Sequence, residues 1–288
     1  MRNTLNIWVI GGDLRQARLA ELFQLDGHTV HTYALELASP APPQEENLSG
    51  AELADCVVLP LPLCADAGML NAPLSPRRHA LAEILDALRP GQLLCAGKPD
   101  AQALSMARER GLVLHDYFAR EELAMANAVP TVEGAIQIAM EELPVTLHDT
   151  RTLVIGCGRL GRLLALRMQA LGARVSVSAR KWADLAWAQA CGFGAEQTGH
   201  LDEWLCGYEL IVNTVPARVL GEVQLAALRE GALVIDLASR PGGVDMDAAQ
   251  RLGVRAIWAL SLPGKVAPVT AGKAIQTTIC NILREQGV

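Results

Sequence analysis

The architecture of this 288-residue chain follows from one segment, Leu153-Val-Ile-Gly-Cys-Gly-Arg-Leu-Gly161. Its three apolar residues predict a buried strand, and the glycines after them predict a tight turn. The amphipathic run Leu163–Leu171 then predicts a helix, and Gly172–Ser178 predicts a second strand. This order of strand, glycine turn, helix and strand is typical of the βαβ unit that opens a dinucleotide-binding Rossmann sheet.

The glycines have the G-x-G-x-x-G spacing, for which each position has a physical reason. Gly156 allows the tight turn, Gly158 lets the backbone approach a pyrophosphate, and Gly161 permits close packing of the helix. Amide groups at the start of that helix attract phosphate. Arg159 and Leu160 lie between the glycines, so we expect them to contact the cofactor as well. The spacing alone is weak evidence, and the flanking strands and helix strengthen it.

The end of the second strand bears on the choice between NAD and NADP. An acidic residue usually binds the ribose hydroxyls there in NAD-specific folds. This chain has Ser178-Ala-Arg-Lys181 instead, and a hydroxyl with two cations, Arg180 and Lys181, suits a 2′-phosphate. The sequence therefore favours NADP. NAD stays open, because a basic helix start on a solvated face would have the same sequence.

The N-terminal segment Ile7–Gln16 resembles the glycine segment but departs from it at two positions. Asp13 stands where the second glycine would be, and Gln16 stands where the third would be. A carboxylate would repel a pyrophosphate, and Gln16 would loosen the helix packing. We expect no dinucleotide in this half. Asp13 and Arg15 are open to two interpretations: substrate contacts, or a helix cap and a solvated arginine.

Further short apolar runs alternate with helical stretches in both halves, which predicts an α/β protein with two domains. The predicted domains are a smaller parallel-sheet domain over residues 1–128 and a Rossmann domain over 129–288. Pro130 is expected to begin a connecting helix, and the last helix is expected to pack back against the first domain. These runs predict strands at Cys56–Pro60, Gln92–Cys95, Leu112–His115, Thr152–Ile155, Arg174–Ser178, Glu209–Asn213, Leu233–Asp236 and Arg255–Trp258. The helical stretches predict helices at Ser75–Leu88, Asp100–Arg110 and Ala271–Arg284.

Composition narrows the class of protein. Hydrophobic residues make up 51% of the chain and charged residues 19%, which suits packed cores. The net charge of -6 argues against a general nucleic-acid or anionic-membrane surface. No apolar run is long enough to span a bilayer, and no export signal is visible, so a cytoplasmic protein is expected. The seven cysteines contain no C-x-x-C pair, so no metal site or disulfide framework is predicted.

Five segments, in order along nearly the whole chain, carry a resemblance to the dipicolinate synthase family, specifically to its A-type subunits. They are Val9-Ile-Gly-Gly-Asp-Leu-Arg15, Val129-Pro-Thr-Val-Glu-Gly134, Val212-Asn-Thr-Val-Pro216, Asp236-Leu-Ala-Ser-Arg-Pro-Gly-Gly243 and Leu262-Pro-Gly-Lys-Val-Ala-Pro-Val-Thr-Ala-Gly272. The resemblance implies oxidation of dihydrodipicolinate to dipicolinate, the dicarboxylate of bacterial spores, with a nicotinamide cofactor. It also implies a partner chain, the B subunit of dipicolinate synthase. A homo-oligomer stays open.

Most candidate substrate residues lie after the carboxyl ends of predicted strands, where ligands bind in doubly wound sheets. Arg240 is the first choice for one carboxylate of a small dicarboxylate substrate, because arginine can bind a carboxylate through two parallel hydrogen bonds. Thr131 and Glu133 of the connecting helix are expected to line the cleft between the two domains, although a carboxylate in a first helical turn is favourable without a ligand. Lys98 is a weaker candidate for the other carboxylate, as are Arg15 and Lys265. The segment Leu262–Lys265 is expected to form a turn.

Asn213 ends the predicted strand Glu209–Asn213, and Thr214 and Pro216 follow it. We expect these three residues to contact the cofactor.

Two rival functions remain. A D-2-hydroxyacid dehydrogenase would share Arg240 but would need a Glu and a His, and the stretch 256–272 contains neither. A non-catalytic subunit that only binds NADP or a metabolite is the other, because a glycine fingerprint indicates binding and not turnover.

Overall fold

The chain forms two separate parallel sheets in this computed structural model, which describes residues 4–288. By internal contacts it divides into two units. Unit 1 comprises the residues up to Asn127 together with Ala267–Val288, and unit 2 comprises Ala128–Val266. The α/β class with two parallel-sheet domains is therefore as predicted.

Unit 1 holds a five-stranded parallel sheet in the order β2-β1-β3-β6-β7. Ile7, Val9 and Cys95 are fully buried in its strands, as expected of a parallel sheet covered on both faces. Its elements are β1 Asn6–Ile10, α1 Leu14–Leu25, β2 Thr29–Tyr33, β3 Cys56–Val58, the antiparallel hairpin β4 Cys64–Asp66 and β5 Met69–Leu70, α2 Leu81–Asp86, β6 Leu93–Ala96, α3 Ala101–Glu109 and β7 Val113–Asp116.

The last helix, α10 (Pro268–Glu285), packs along α1 in unit 1. Ile275 and Ile279 of α10 share one buried core with Leu19 and Phe23 of α1. Gly272 allows the close approach, because a Cβ there would lie 3.0 Å from the carbonyl oxygen of Arg15. The C-terminal segment thus completes the core of the unit that contains the N-terminal residues.

Unit 2 contains a six-stranded parallel sheet in the order β10-β9-β8-β11-β12-β13. Counted within the unit this is 3-2-1-4-5-6, the Rossmann order, with the direction of winding reversing between β8 and β11. The elements are α4 Glu121–Glu142, which begins in unit 1, then β8 Arg151–Ile155, α5 Arg159–Ala170, β9 Arg174–Ala179, α6 Trp182–Ala190, β10 Gly194–Gln197, β11 Leu210–Asn213, α7 Glu222–Ala226, β12 Leu233–Asp236, α8 Met246–Arg251, β13 Arg255–Trp258 and α9 Leu262–Val266.

Three expectations about helices were wrong. Pro130 does not begin its helix but lies inside α4, nine residues after its start. The helix expected over Ser75–Leu88 forms only at Leu81–Asp86, because Ala80 pairs with Met69 in a β-bridge and keeps the preceding chain extended. The expected turn at Leu262–Lys265 is the short helix α9.

Candidate functional site

The glycine loop of unit 2 joins β8 to α5 at the carboxyl edge of the sheet. Gly156 has a φ of +105°, and a Cβ on it would lie 2.3 Å from Thr214 Oγ1. A Cβ on Gly161 would lie 2.0 Å from the carbonyl oxygen of Gly156. The close packing of the chain against itself therefore requires both glycines.

Gly158 differs from the other two glycines. It is the N-cap residue of α5, with φ −82° and ψ −168°, which any residue can adopt. A Cβ placed on it would meet no protein atom within 4 Å. Arg159 follows it, exposed, with Leu160 half-buried. The protein's own packing does not explain Gly158, whereas the approach of a ligand to the backbone would.

Arg162 holds the glycine loop against α6. Its Nε donates to the carbonyl oxygen of Cys157 at 3.0 Å, and its Nη2 donates to Asp184 Oδ1 at 2.9 Å. The guanidinium also lies 4.6 Å from the centroid of the Trp187 ring. Sequence reasoning missed Arg162, because its partners lie both in the loop and on the next helix.

Burial raises the pKa of the Cys157 thiol, although the hydrogen bond and charge of Arg162 act in the opposite direction. This cysteine of the glycine loop therefore stays neutral near pH 7 and is a poor nucleophile.

Asn213, the last residue of β11, and Thr214 after it form hydrogen bonds at the carboxyl edge of the sheet. The buried Asn213 donates from Nδ2 to the Val215 carbonyl oxygen at 3.0 Å and to Asp236 Oδ1 at 2.7 Å. Thr214 Oγ1 donates to the Ile155 carbonyl oxygen at 2.9 Å. Pro216 is exposed. Asn213 and Thr214 thus shape the carboxyl edge of the sheet through bonds to the protein itself.

The strand β9 ends beside the glycine loop with the residues proposed for a 2′-phosphate. The Gly156 amide donates to the Ser178 carbonyl oxygen at 2.8 Å, which joins loop and strand. Ser178 is fully buried, and its hydroxyl lies 2.7 Å from Thr198 Oγ1. Arg180 and Lys181 are exposed. The cations thus face solvent, while the serine hydroxyl is engaged within the protein.

The carboxylate of Asp236 organises the loop that carries Arg240. Its Oδ1 accepts from Asn213 Nδ2 at 2.7 Å and from the Ala238 amide at 3.0 Å. Its Oδ2 accepts from the amides of Gly243 at 2.8 Å and Val244 at 3.2 Å. Asp236 is 1% exposed. A buried carboxylate with four donors fixes the path of the loop, a role that the sequence did not reveal.

Arg240 projects from this loop and is exposed. Its Cζ lies 5.8 Å from the centroid of the Trp258 ring, and Trp258 Nε1 donates to the Ala238 carbonyl oxygen at 2.9 Å. The guanidinium is within cation–π range of the ring, and no side-chain hydrogen bond or ion pair among residues 4–288 occupies its N–H groups. This geometry suits an arginine that binds a carboxylate.

The candidates on α4 lie in the interior of the helix. Thr131 is half-buried, and the carboxylate of Glu133 accepts from Arg167 Nη1 of α5 at 2.9 Å. Because α4 begins at Glu121, Glu133 is not in a first turn, and the helix-dipole explanation for it was wrong. Its contact in unit 2 is an exposed ion pair.

In unit 1, the cap interpretation of Asp13 holds. Asp13 is the N-cap of α1, and Gln16 closes a capping box with it. Gln16 is fully buried and donates to Tyr117 Oη, so the expectation that it loosens the helix packing was wrong. Arg15 is buried rather than solvated, and its Nη2 donates to the Leu61 carbonyl oxygen at 2.6 Å. Asp13, Arg15 and Gln16 therefore have structural roles within unit 1.

The two lysine candidates are both exposed. Lys98 follows β6 with a φ of +52°, and its amide donates to Asp116 Oδ1 at 3.0 Å. A left-handed conformation at a residue other than glycine is strained. Lys265 lies in α9 of unit 2. Lys98 belongs to unit 1 and Lys265 belongs to unit 2.

Within residues 4–288, no three histidine, cysteine, aspartate or glutamate side chains cluster in a way that could hold a metal ion. Over the same residues, no helix is both long and apolar enough to cross a bilayer.

The strand order and the glycine loop place unit 2 in the class of Rossmann-type nucleotide-binding folds. The crystal structure of transhydrogenase from Sinorhizobium meliloti has a similar fold over 98% of this chain and 94% of its own, with a TM-score of 0.72 at 16% identity.

More specific similarities identify the family. Residues 6–118 match the family model of the N-terminal domain of the dipicolinate synthase A subunit. The A subunit of dipicolinate synthase from Bacillus subtilis (strain 168) is 30% identical over 296 residues, covering 99% of this chain and 98% of the relative. The crystal structure of the A subunit of dipicolinate synthase from Bacillus halodurans superposes with a TM-score of 0.88 at 26% identity, covering 97% of both chains. The chain belongs to the family of dipicolinate synthase A subunits.

Proposed function

We propose that this chain is the dinucleotide-binding subunit of an oxidoreductase that converts dihydrodipicolinate to dipicolinate in the cytoplasm, with NADP preferred and with the B subunit of dipicolinate synthase as partner. Membership of the family supports the reaction class. The observation that carries the proposal is Gly158, which faces open space at the start of α5 between two glycines that the packing requires.

The residues present fit a nicotinamide dinucleotide. Backbone amides at the start of α5 would meet the pyrophosphate, with Arg159 and Leu160 at the same helix start. Ala179, the last residue of β9, has a methyl group where NAD-specific folds usually have an acid. Arg180 and Lys181 follow it, and they would attract a 2′-phosphate. Ser178 contributes through its carbonyl bond to the loop, since its hydroxyl is buried.

When bound, the nicotinamide supplies an acceptor for the hydride that the dihydropyridine ring loses, and the second hydrogen leaves as a proton. The product is an aromatic ring, so the step is favourable without strong activation by the protein. The chain must then bind and orient a dicarboxylate. Arg240 would bind one carboxylate, held over Trp258. Thr131, Glu133, Lys98 and Lys265 remain candidates for further contacts.

Gly158→Ala tests the dinucleotide site directly. The backbone angles at Gly158 allow alanine, and the new Cβ meets no protein atom, so the variant should fold with a loss of less than about 1 kcal/mol from the helix cap. We expect its affinity for NADP to fall at least about tenfold, because the methyl group would occupy the space where the pyrophosphate approaches. Isothermal titration calorimetry with NADP and NAD would measure both affinities.

Two comparison variants sharpen the experiment. Gly161→Ala should lower the thermal midpoint strongly, because its Cβ would lie 2.0 Å from the Gly156 carbonyl oxygen. Arg180→Ala should weaken NADP and leave NAD unchanged. Unaltered NADP binding in Gly158→Ala would rule out the proposed site. Tighter binding of NAD than of NADP by the unmodified chain would rule out the preference.

A further inference from the structure

Trp182 is a large aromatic residue that the protein leaves uncovered. It is the first residue of α6 and is 76% exposed. Two other tryptophans of unit 2 have partners: Trp187 lies against Arg162 and Phe193, and Trp258 lies against Arg240. No such ring contact or side-chain hydrogen bond involves Trp182 in the part of the chain that the structure describes. The chain therefore leaves most of the indole surface available to a ligand.

The position of Trp182 is fixed relative to the glycine loop. Asp184, in the first turn of α6, accepts from Arg162 Nη2 at 2.9 Å, and its carbonyl oxygen accepts from Cys157 Sγ at 3.8 Å. Arg162 also donates to the Cys157 carbonyl oxygen. The start of α6 is therefore held directly against the loop between β8 and α5. The exposed cations Arg180 and Lys181 immediately precede Trp182.

We propose that Trp182 is a positioning residue for the dinucleotide and that its indole stacks on the adenine ring. The inference rests on the proposed dinucleotide site and adds a separate role within it. Adenine is a flat ring with an exposed π face, and aromatic side chains bind such bases by stacking. Binding would cover the indole, while Arg180 and Lys181 lie beside it for a phosphate on the ribose.

Stacking and charge make different predictions about specificity. NAD and NADP have the same adenine ring, so Trp182 contributes equally to the binding of both. The 2′-phosphate is present only in NADP, so Arg180 contributes to NADP alone. A ligand without adenine, such as nicotinamide mononucleotide, gains nothing from Trp182. The three ligands therefore separate the role of the indole from that of the cations.

The test measures the affinities of NADP, NAD and nicotinamide mononucleotide by calorimetry for the full chain and three variants. Trp182→Ala should weaken NADP and NAD by the same factor, on the order of tenfold for one lost base stack. Trp182→Phe should recover most of the affinity, because a phenyl ring still stacks. Trp204→Ala is the matched control, since Trp204 is also a surface tryptophan of unit 2, at 51% exposure. Titration with 2′,5′-ADP should quench indole fluorescence in the unmodified chain and much less in Trp182→Ala.

Equal affinities of Trp182→Ala and the unmodified chain for NADP would overturn this inference and leave the dinucleotide site in place. An equal loss of nicotinamide mononucleotide binding would also overturn it, because the damage would not be specific to adenine. Failure of the unmodified chain to bind any dinucleotide would overturn both this inference and the proposed function.

Discussion

At the scale of single residues, the contrast between Asp236 and Arg240 separates the framework of the loop from its chemistry. Asp236 is buried and bonded to four donors within the protein. Arg240, four residues later, is exposed and touches only the face of Trp258 among the ring contacts of the described residues. A carboxylate that holds a loop and an arginine that projects from it are what a ligand-binding loop requires.

We expect Arg240→Met to abolish turnover of the reconstituted synthase while NADP affinity changes less than about twofold. Methionine keeps much of the length of the side chain and its contact with Trp258 but loses the two N–H donors that match a carboxylate. Arg240→Lys should stay well below normal activity, because an ammonium group lacks the planar pair of donors. Steady-state rates in the presence of both subunits, together with NADP titrations, would measure these effects.

The control for that experiment is Arg251→Met, which removes an arginine of α8 that is bonded to Glu222 and is 59% exposed. Its activity should be normal. Near-normal turnover in Arg240→Met would remove Arg240 from the site and leave its contact with Trp258 as a structural one.

At the scale of elements, the strands that could be predicted are those with continuous apolar sequence. The run Leu233–Asp236 is buried along its whole length and was predicted with the bounds it has. By contrast β10, Gly194–Gln197, escaped prediction. It is an edge strand with half-buried polar residues, so its sequence has no clear apolar pattern. Pairing with β9 holds it in an extended conformation.

Residues of the candidate site could be predicted when the contacts that define their roles are local in sequence. The glycine spacing could be read from nine consecutive residues, because the constraints on Gly156 and Gly161 are largely local. The roles of Arg162 and Asp236 could not, since their partners Asp184 and Val244 reach them through the fold. The direction of the Ser178 hydroxyl likewise depends on Thr198 of a neighbouring segment.

The helix α4 shows how tertiary packing overrides a local signal. Pro130 cannot donate a hydrogen bond to the preceding turn, and this was the reason to expect the helix to begin there. The helix nevertheless runs from Glu121 to Glu142, with Leu123, Val132 and Ala135 buried on either side of the proline. Burial of these apolar residues outweighs the missing hydrogen bond.

Pro130→Ala is expected to stabilise the protein slightly. An interior proline costs a helix about 3 kcal/mol. Removing two buried methylene groups costs about 0.8 kcal/mol each, and the freer unfolded chain costs roughly 0.4–1 kcal/mol more. The net gain of about 0.5–1 kcal/mol should raise the thermal midpoint by about 1–4 °C, measured by calorimetry. Met140→Ala, at a 64% exposed position of the same helix, should leave the midpoint unchanged. A lower midpoint in Pro130→Ala would mean that packing of the ring outweighs the restored bond.

At the scale of the whole molecule, the glycine loop, its Arg162 clamp and the exposed cations after β9 all belong to one contiguous stretch of unit 2. The dinucleotide site proposed there needs no residue from a second chain. Turnover also requires the dicarboxylate to be bound, and the candidates for its second carboxylate, Lys98 and Lys265, are not among the residues assigned to the dinucleotide. Binding of the cofactor and catalysis can therefore depend differently on a partner.

We expect the purified chain alone to bind NADP with the affinity it has in the complex but to oxidise dihydrodipicolinate slowly. Adding the B subunit should restore turnover in proportion to the amount added, without shifting the NADP titration, since every residue assigned to the dinucleotide lies in this chain. Nicotinamide absorbance would report turnover, and calorimetry would report binding. Full turnover by the single chain would overturn the requirement for a partner. Cofactor binding without turnover, even with the B subunit present, would instead make this chain a dinucleotide-binding protein with no part in the oxidation.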